Sequence, residues 1–294
     1  MDFADLTPLA GGWSGQTYLA QTAGERTVVR VYPPRLRDDA APEIDAAVLR
    51  LVRGLVPVPD VLEVRRGAAE GSRPGLLVTS FVTGVRGDLL LTTLDEAGLA
   101  VLGGHLGSLV ATVAGMPTLR PGPFVDPELT IGDFGMADGL PGFVAEYADS
   151  LGWPAADLSS LMAVAEHAQS LLDSVGRSCL VHSDANPKNV LVDPESLVVT
   201  AVFDWEFAHS GCPVSDLGNL LRFDRVPAYA DAVLAAWCER RGTCPAETLE
   251  LARAADLWAL VDLAARRGQN PVADRAHEHL LAIARTGDLH ALPS

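Results

Sequence analysis

Residues 177–211 read RSCLVHSDANPKNVLVDPESLVVTAVFDWEFAHSG, and the reading of this stretch decides the fold. Three short apolar runs, Cys179 to Val181, Val190 to Val192 and Val198 to Phe203, each end at polar residues, as short buried strands feeding loops do. His182, Asp184 and Asn189 stand as H-x-D-x-x-x-x-N directly after the first run, and Asp204 closes the third. An Asp and an Asn on one tight loop, joined by an Asp from a neighbouring strand, converge oxygen atoms on one point. That set suits a hard cation such as Mg²⁺, which takes few protein oxygens and completes its octahedron with phosphate and water. Asp184 then remains free to accept the proton of an attacking hydroxyl.

Upstream, the chain changes texture. LTPLAGGWSGQTYLAQ, a turn at Ala23 to Glu25 and RTVVRVY read as a hairpin with a Gly-rich connection and a β-branched strand. PEIDAAVLRLVR, residues 42–53, has helical period with Ile44, Val48, Leu51 and Val52 on one side and Pro42 in its first turn. VPVPDVLEVRR and GLLVTSFV read as two further strands. From Leu94 to Met116 the pattern is helical, and a Pro/Gly/Asp-rich connection follows to Pro141. More helices are expected near 141–150, 156–175, 227–240, 245–266 and 270–285. The residues thus give an α+β chain: a sheet-rich first lobe, a hinge near Ser80 to Gly84 and a mainly helical second lobe.

Composition narrows the function. The 294 residues are 48% hydrophobic and 20% charged, which excludes general disorder. Against 38 acidic residues stand 22 basic ones, and a net charge of −16 repels nucleic-acid phosphate and anionic lipid, so neither is an expected partner. The four cysteines show no CxxC pair and read as reduced, buried thiols. Neither a secretory signal nor an uncharged apolar run of membrane-spanning length is present, so a cytoplasmic location is expected. His277 and His279, two apart on an expected helix, lack the spacing of a shared metal face and read as solvated. Ser108, Ser159 and Ser215 lie outside any G-x-S-x-G elbow, so a hydrolase triad has no nucleophile signal.

HSDANPKN followed by FDWE resembles the catalytic and metal-binding segments of the aminoglycoside phosphotransferase and choline-kinase-like family, relatives of the protein kinases. The resemblance runs the length of the chain and ends in GCPVSDLGNLL, where Cys212 replaces the usual Asp. It implies a two-lobed protein-kinase-like fold, with residues 1–83 as a nucleotide-binding antiparallel sheet plus one helix. Residues 84–294 would hold the catalytic loop, the metal site and the substrate cleft. It further implies that Asp184 is the base, Asn189 and Asp204 are Mg²⁺ ligands, His182 holds the loop and Asp216 bonds its backbone. Arg30 sits where the family places a phosphate-binding lysine; Lys188 is the chain's one lysine, so no lysine can serve there. The helix partner of Arg30 would be Asp45 or Glu43. GGWSGQTYLA resembles the phosphate-covering loop, in which Ser14 could donate to a phosphate. TSFV resembles the hinge whose backbone at Ser80 and Val82 bonds the nucleobase, with ATP and GTP both open. Lys188, between Asp184 and Asn189, either faces the γ-phosphate or lies solvated.

Chain order excludes Asp133-Phe134-Gly135 as a metal tripeptide, because it precedes the catalytic loop. The expected activity is transfer of a γ-phosphate to a small-molecule hydroxyl. An antibiotic acceptor, aminoglycoside-like or macrolide-like, leads by analogy with the family. Choline, homoserine or sugar-type acceptors are the alternative, and a nucleotide-binding pseudokinase scaffold is another. Family members that bind polycations line the cleft with carboxylates, for which the candidates are Glu206, Asp256 and Asp262.

Overall fold

The computed structural model describes residues 6–9, 16–22, 24–33, 38–68, 73–135 and 138–293. The Gly-rich segment that includes Ser14 lies outside the described residues. Strands β1 (Leu6–Pro8), β2 (Gln16–Thr22) and β3 (Glu25–Tyr32), helix α1 (Ala41–Val52), and strands β4 (Val61–Arg65) and β5 (Gly75–Ser80) come first. The strands form one antiparallel sheet in the order β1-β2-β3-β5-β4. Alternation along β3 sorts its side chains by face. Val29 and Val31 cluster with Leu76 and Val78, while Tyr32 joins Leu77 and α1 in the main core. Arg30, one residue out of phase with Val29 and Val31, shares the face of Tyr32.

Helix α1 is rotated from the expected stripe. Its buried positions include Asp45, Ala46, Val48, Leu49 and Val52, while Ile44 and Leu51 are half-buried. The rotation follows from a polar contact: Tyr32 Oη donates to Asp45 Oδ2 at 2.7 Å, which brings a carboxylate onto the core face.

The remaining chain runs through β6 (Val85–Arg86), α2 (Gly87–Leu91), α3 (Glu96–Val113), β7 (Pro117–Thr118), β8 (Gly122–Pro123), α4 (Gly139–Leu151) and α5 (Ala155–Leu172). Then come β9 (Ser178–Val181), β10 (Val190–Val192), β11 (Val199–Val202), β12 (His209–Gly211), α6 (Ser215–Leu221), α7 (Pro227–Arg241), α8 (Pro245–Ala264) and α9 (Pro271–Thr286). Two small sheets, β11-β10-β6 and β7-β9-β12-β8, carry the loops of interest. The connector from the first sheet crosses β10 closely: at Gly84, φ 156°, a Cβ would lie 2.9 Å from Leu191 Cβ. Helix α3 is long and apolar enough to cross a membrane by composition, yet it packs on α7. Gly103 and Gly107 admit that approach, since a Cβ on Gly103 would stand 2.6 Å from the Tyr229 carbonyl. A second core lies among α4, α5, α8 and α9. The helices expected from periodicity are present, and the short α2 and α6 are additional.

Two expectations are corrected here. His277 and His279 are buried, not solvated: His277 meets Trp153 edge-on at 5.4 Å, and His279 Nε2 accepts from Arg225 Nη2 at 2.8 Å. Of the four thiols only Cys179 and Cys238 are buried; Cys212 is intermediate and Cys244 exposed.

Candidate active site

β9 delivers the chain into a loop whose backbone is pinned from below. Asp216, in the first turn of α6, accepts from the His182 and Ser183 N–H groups at 2.8 Å each, and Asn219 Nδ2 donates to the Ser183 carbonyl at 2.9 Å. Burial pushes the Asp216 carboxyl up, opposed by the nearby His182 and the two N–H donors. These bonds hold Ser183 at φ 72°, a left-handed backbone that non-glycine residues adopt at a cost of order 1–3 kcal/mol. His182 closes the loop from the other side. Its Nδ1 accepts from the Asp184 N–H at 3.2 Å, so Nε2 carries the proton it donates to the Phe203 carbonyl at 3.0 Å. The ring packs on Trp205 at 4.4 Å.

Thus fixed, the Asp184 carboxylate is surrounded by donors. Asn186 Nδ2 reaches its Oδ1 at 2.5 Å, Asn189 Nδ2 reaches Oδ2 at 2.7 Å, and Lys188 Nζ stands 3.2 Å from Oδ2. The Asn189 amide also bonds the Asp184 carbonyl at 2.8 Å. Both amide contacts of Asn189 therefore go through nitrogen, which turns its Oδ1 away from Asp184. Asn186, capping the 3₁₀ turn at Pro187–Asn189, is a contact the sequence reading missed. Its place in HSDANPKN, two residues after Asp184, is the signal that could have found it.

The second strand completes the set. β10 and β11 pair with Val190 opposite Val202, and Phe203 N–H bonds the Asn189 carbonyl at 3.0 Å. Asn189 and Asp204 therefore leave the same end of one ribbon. Asp204 adopts φ 66° before the turn Trp205–Phe207, a second left-handed non-glycine residue at the site. The donor set, one carboxylate and one amide oxygen beside the loop, is hard and small in number, and so fits Mg²⁺ better than a softer metal. Among the described residues there is no cluster of three or more His, Cys, Asp or Glu side chains arranged to hold a metal.

Arg30 reaches this ribbon from β3, with Nη1 at 2.7 Å from Asp204 Oδ1 and Nη2 at 2.5 Å from Glu206 Oε2. Burial pulls the guanidinium pKa down, but Tyr32, Asp204, Glu206 and Asp45 more than offset it, and the group is held above its ordinary range. Of the two candidate helix partners, Asp45 is buried and its charge acts on Arg30, whereas Glu43 pairs with Arg66 at 3.3 Å. At the hinge, Ser80 spends its N–H on the Asp60 carbonyl and its Oγ on the Asp60 N–H, both at 2.9 Å. A base could use only the Ser80 carbonyl; the Val82 N–H has no partner among the described residues. Asp133 bonds the Gly135 N–H at 3.0 Å within its own connection.

The carboxylates named for a polycationic substrate are all held by arginines. Glu206 takes Arg30, Asp256 is buried against Arg222 at 2.7 Å, and Asp262 pairs with Arg266 one helical turn away. The sequence could not show this, because the partners of Glu206 and Asp256 are distant in the chain.

Against known proteins, the profile of the Phosphotransferase enzyme family matches residues 5–251. Acyl-CoA dehydrogenase family member 11 of Rattus norvegicus is 42% identical over 55 residues, 19% of this chain and 7% of that protein. Its Mus musculus counterpart is 30% identical over 95 residues, 26% of this chain and 12% of that protein. The chain thus spans only a small part of the length of these curated relatives. Among solved structures, a microcompartment-associated aminopropanol kinase superposes with TM-score 0.70 at 19% identity, covering 97% of this chain and 92% of that one. A thermostable mutant of aminoglycoside phosphotransferase APH(4)-Ia, in a ternary complex with AMP-PNP and hygromycin B, gives 0.68 at 21%, covering 97% and 94%. The GDP complex of aminoglycoside 2'-phosphotransferase-IIIa gives 0.67 at 15%, covering 98% and 94%. A chain matched by the family profile over most of its length belongs to the phosphotransferase enzyme family, and it shares the two-lobed, protein-kinase-like fold of these solved structures.

Proposed function

We propose that the protein transfers the γ-phosphate of ATP or GTP to a hydroxyl of a small molecule, with Asp184 as the base. The observation that carries this reading is the Asp184 carboxylate, oriented on both oxygens by Asn186 and Asn189 within a loop fixed by Asp216. Its position is set before substrate arrives, which is where the rate gain of a placed base originates. The acceptor oxygen attacks the γ-phosphorus and forms a new O–P bond. The bond to the β,γ-bridging oxygen breaks, the nucleoside diphosphate leaves with that electron pair, and the hydroxyl proton passes to Asp184. Arg30 and Lys188 place positive charge beside the transferred group, and Ser14 could donate to it from the Gly-rich segment. Asn189 and Asp204 would hold Mg²⁺, which when bound neutralises charge on the phosphate oxygens. Asp45 steadies Arg30, and the Ser80 carbonyl with the Val82 N–H offers one acceptor and one donor to the base. The reaction needs a nucleoside triphosphate pool, which suits the expected cytoplasmic location.

Within the antibiotic reading, the engaged carboxylates favour an acceptor that is not a polycation, macrolide-like before aminoglycoside-like. A metabolic alcohol is the second reading, favoured by the same engagement of Glu206, Asp256 and Asp262. A turnover screen of hydroxylated antibiotics and metabolites, with ATP and GTP in separate arms, tests both readings. The preferred acceptor should show an affinity that is nearly flat between low and high salt. A steep fall with salt would return the polycation to first place.

A further inference from the structure

Arg30 is shared between two unlike acids. Asp204, at 2.7 Å from Nη1, keeps a side chain 25% exposed at the turn where the ribbon ends, whereas Glu206, at 2.5 Å from Nη2, is 4% exposed. A guanidinium seated across two carboxylates is itself a bound cation: it neutralises Asp204 and repels a second positive charge from that oxygen. Its two arms are not equally easy to release. Moving Nη1 from Asp204 to a phosphate exchanges one charge-assisted hydrogen bond for another, while detaching Nη2 strips a partner from a buried carboxylate. A lysine, with one compact ammonium, could not let go of one acid while holding the other in this way.

Building on the metal and phosphate reading above, we propose that Glu206 is the anchor of Arg30. It keeps one arm of the guanidinium while the other exchanges Asp204 for a nucleotide phosphate, so that Asp204 is opened to a metal ion only when nucleotide is present. Glu206 is on this account a positioning residue that acts through Arg30, and Arg30 fills the cation position of the free enzyme.

The test titrates Mn²⁺, as a spectroscopic substitute for Mg²⁺, into the full chain by electron paramagnetic resonance, with and without ADP. Without ADP, Arg30→Met should bind free Mn²⁺ about tenfold or more tightly than the unsubstituted chain, because the resident charge is gone. Glu206→Gln should weaken ADP binding about tenfold in the presence of Arg30, and by less than about twofold in the Arg30→Met background. Arg30→Gln carries the same comparison if the Met variant does not fold. Equal losses in both backgrounds would show that Glu206 serves the metal or the fold directly, and would overturn the anchor. Unchanged Mn²⁺ affinity in Arg30→Met would overturn the resident-cation role. The metal reading has its own control: if Asp204→Asn binds Mn²⁺ with ADP as tightly as the unsubstituted chain, that reading fails and takes this proposal with it.

Discussion

Two buried polar clusters meet the two ends of α6, and they differ in what they hold. At its start, Asp216 and Asn219 grip the backbone of the loop that leads to Asp184, and His182 ties that loop to Phe203. At its end, Arg222 forks onto Asp256, Arg253 Nη1 bonds the Leu221 carbonyl, and Arg225 reaches His279 and the carbonyl of His290. The first cluster fixes the strained loop that carries Asp184. The second joins helices to one another and to the C-terminal turn. Similar side chains in similar burial therefore do unlike work, and what separates them is whether the bonded partner is loop backbone or another helix.

The comparison yields graded expectations. Asp256→Ala leaves Arg222 buried without its carboxylate and should cost about 3–5 kcal/mol of stability, read by denaturant melts. Nucleotide affinity of the folded fraction should be unchanged; a shift there would place the second cluster in the site. Asp216→Asn keeps the volume but presents an amide donor to an N–H donor. It should lower turnover about 10²-fold through misplacement of the loop, with a smaller loss of stability. A variant that melts early and turns over normally would reduce Asp216 to a fold residue.

A pH series separates the clusters further. His279 is held neutral, its pKa pushed down to about 3 by burial and by Arg225. The unfolded chain takes up a proton near the ordinary value of about 6.5 while the folded chain does not, so stability falls as pH drops through that window. At pH 5 the loss from this group is about 2 kcal/mol relative to pH 7.5, and His279→Asn should remove most of that slope. An unchanged slope would mean that other groups set the acid limit. The smallest effect is expected at Lys188. Lys188→Ala should lower turnover a few-fold, and more than Lys188→Arg, because Nζ lies 3.2 Å from Asp184 at the mouth of the site. Amine labelling followed by peptide mass checks it: bound Mg²⁺-nucleotide should shield Lys188, and equal labelling would put the side chain in solvent.

The difference between the clusters also explains what could be read from the sequence. His182, Asp184, Asn189 and Asp204 fall within one short stretch between apolar runs, so local spacing placed them on one loop and the adjoining end of one ribbon. The helices were legible from their period, and the sheet from its β-branched runs and turns. The second cluster draws on residues from 222 to 290 that meet only through helix packing. Asp256 thus read as a cleft carboxylate and His279 as a solvated ring, because a lone charged residue on a helix carries no local sign of its partner. The same limit applied to α1. Periodicity chose the stripe with Ile44 and Leu51, and the Tyr32–Asp45 contact rotated it. Glu206 was visible beside Asp204, but Arg30 as its partner was not, for 176 positions separate them.

The central claim is that Asp184 does chemistry and does not hold nucleotide. Titration calorimetry of Mg²⁺-nucleotide into Asp184→Asn, set beside its turnover with the best acceptor, tests it most directly. The account predicts an affinity within a few-fold of the unsubstituted chain and turnover lowered by roughly 10²-fold or more. Normal turnover in that variant would contradict it.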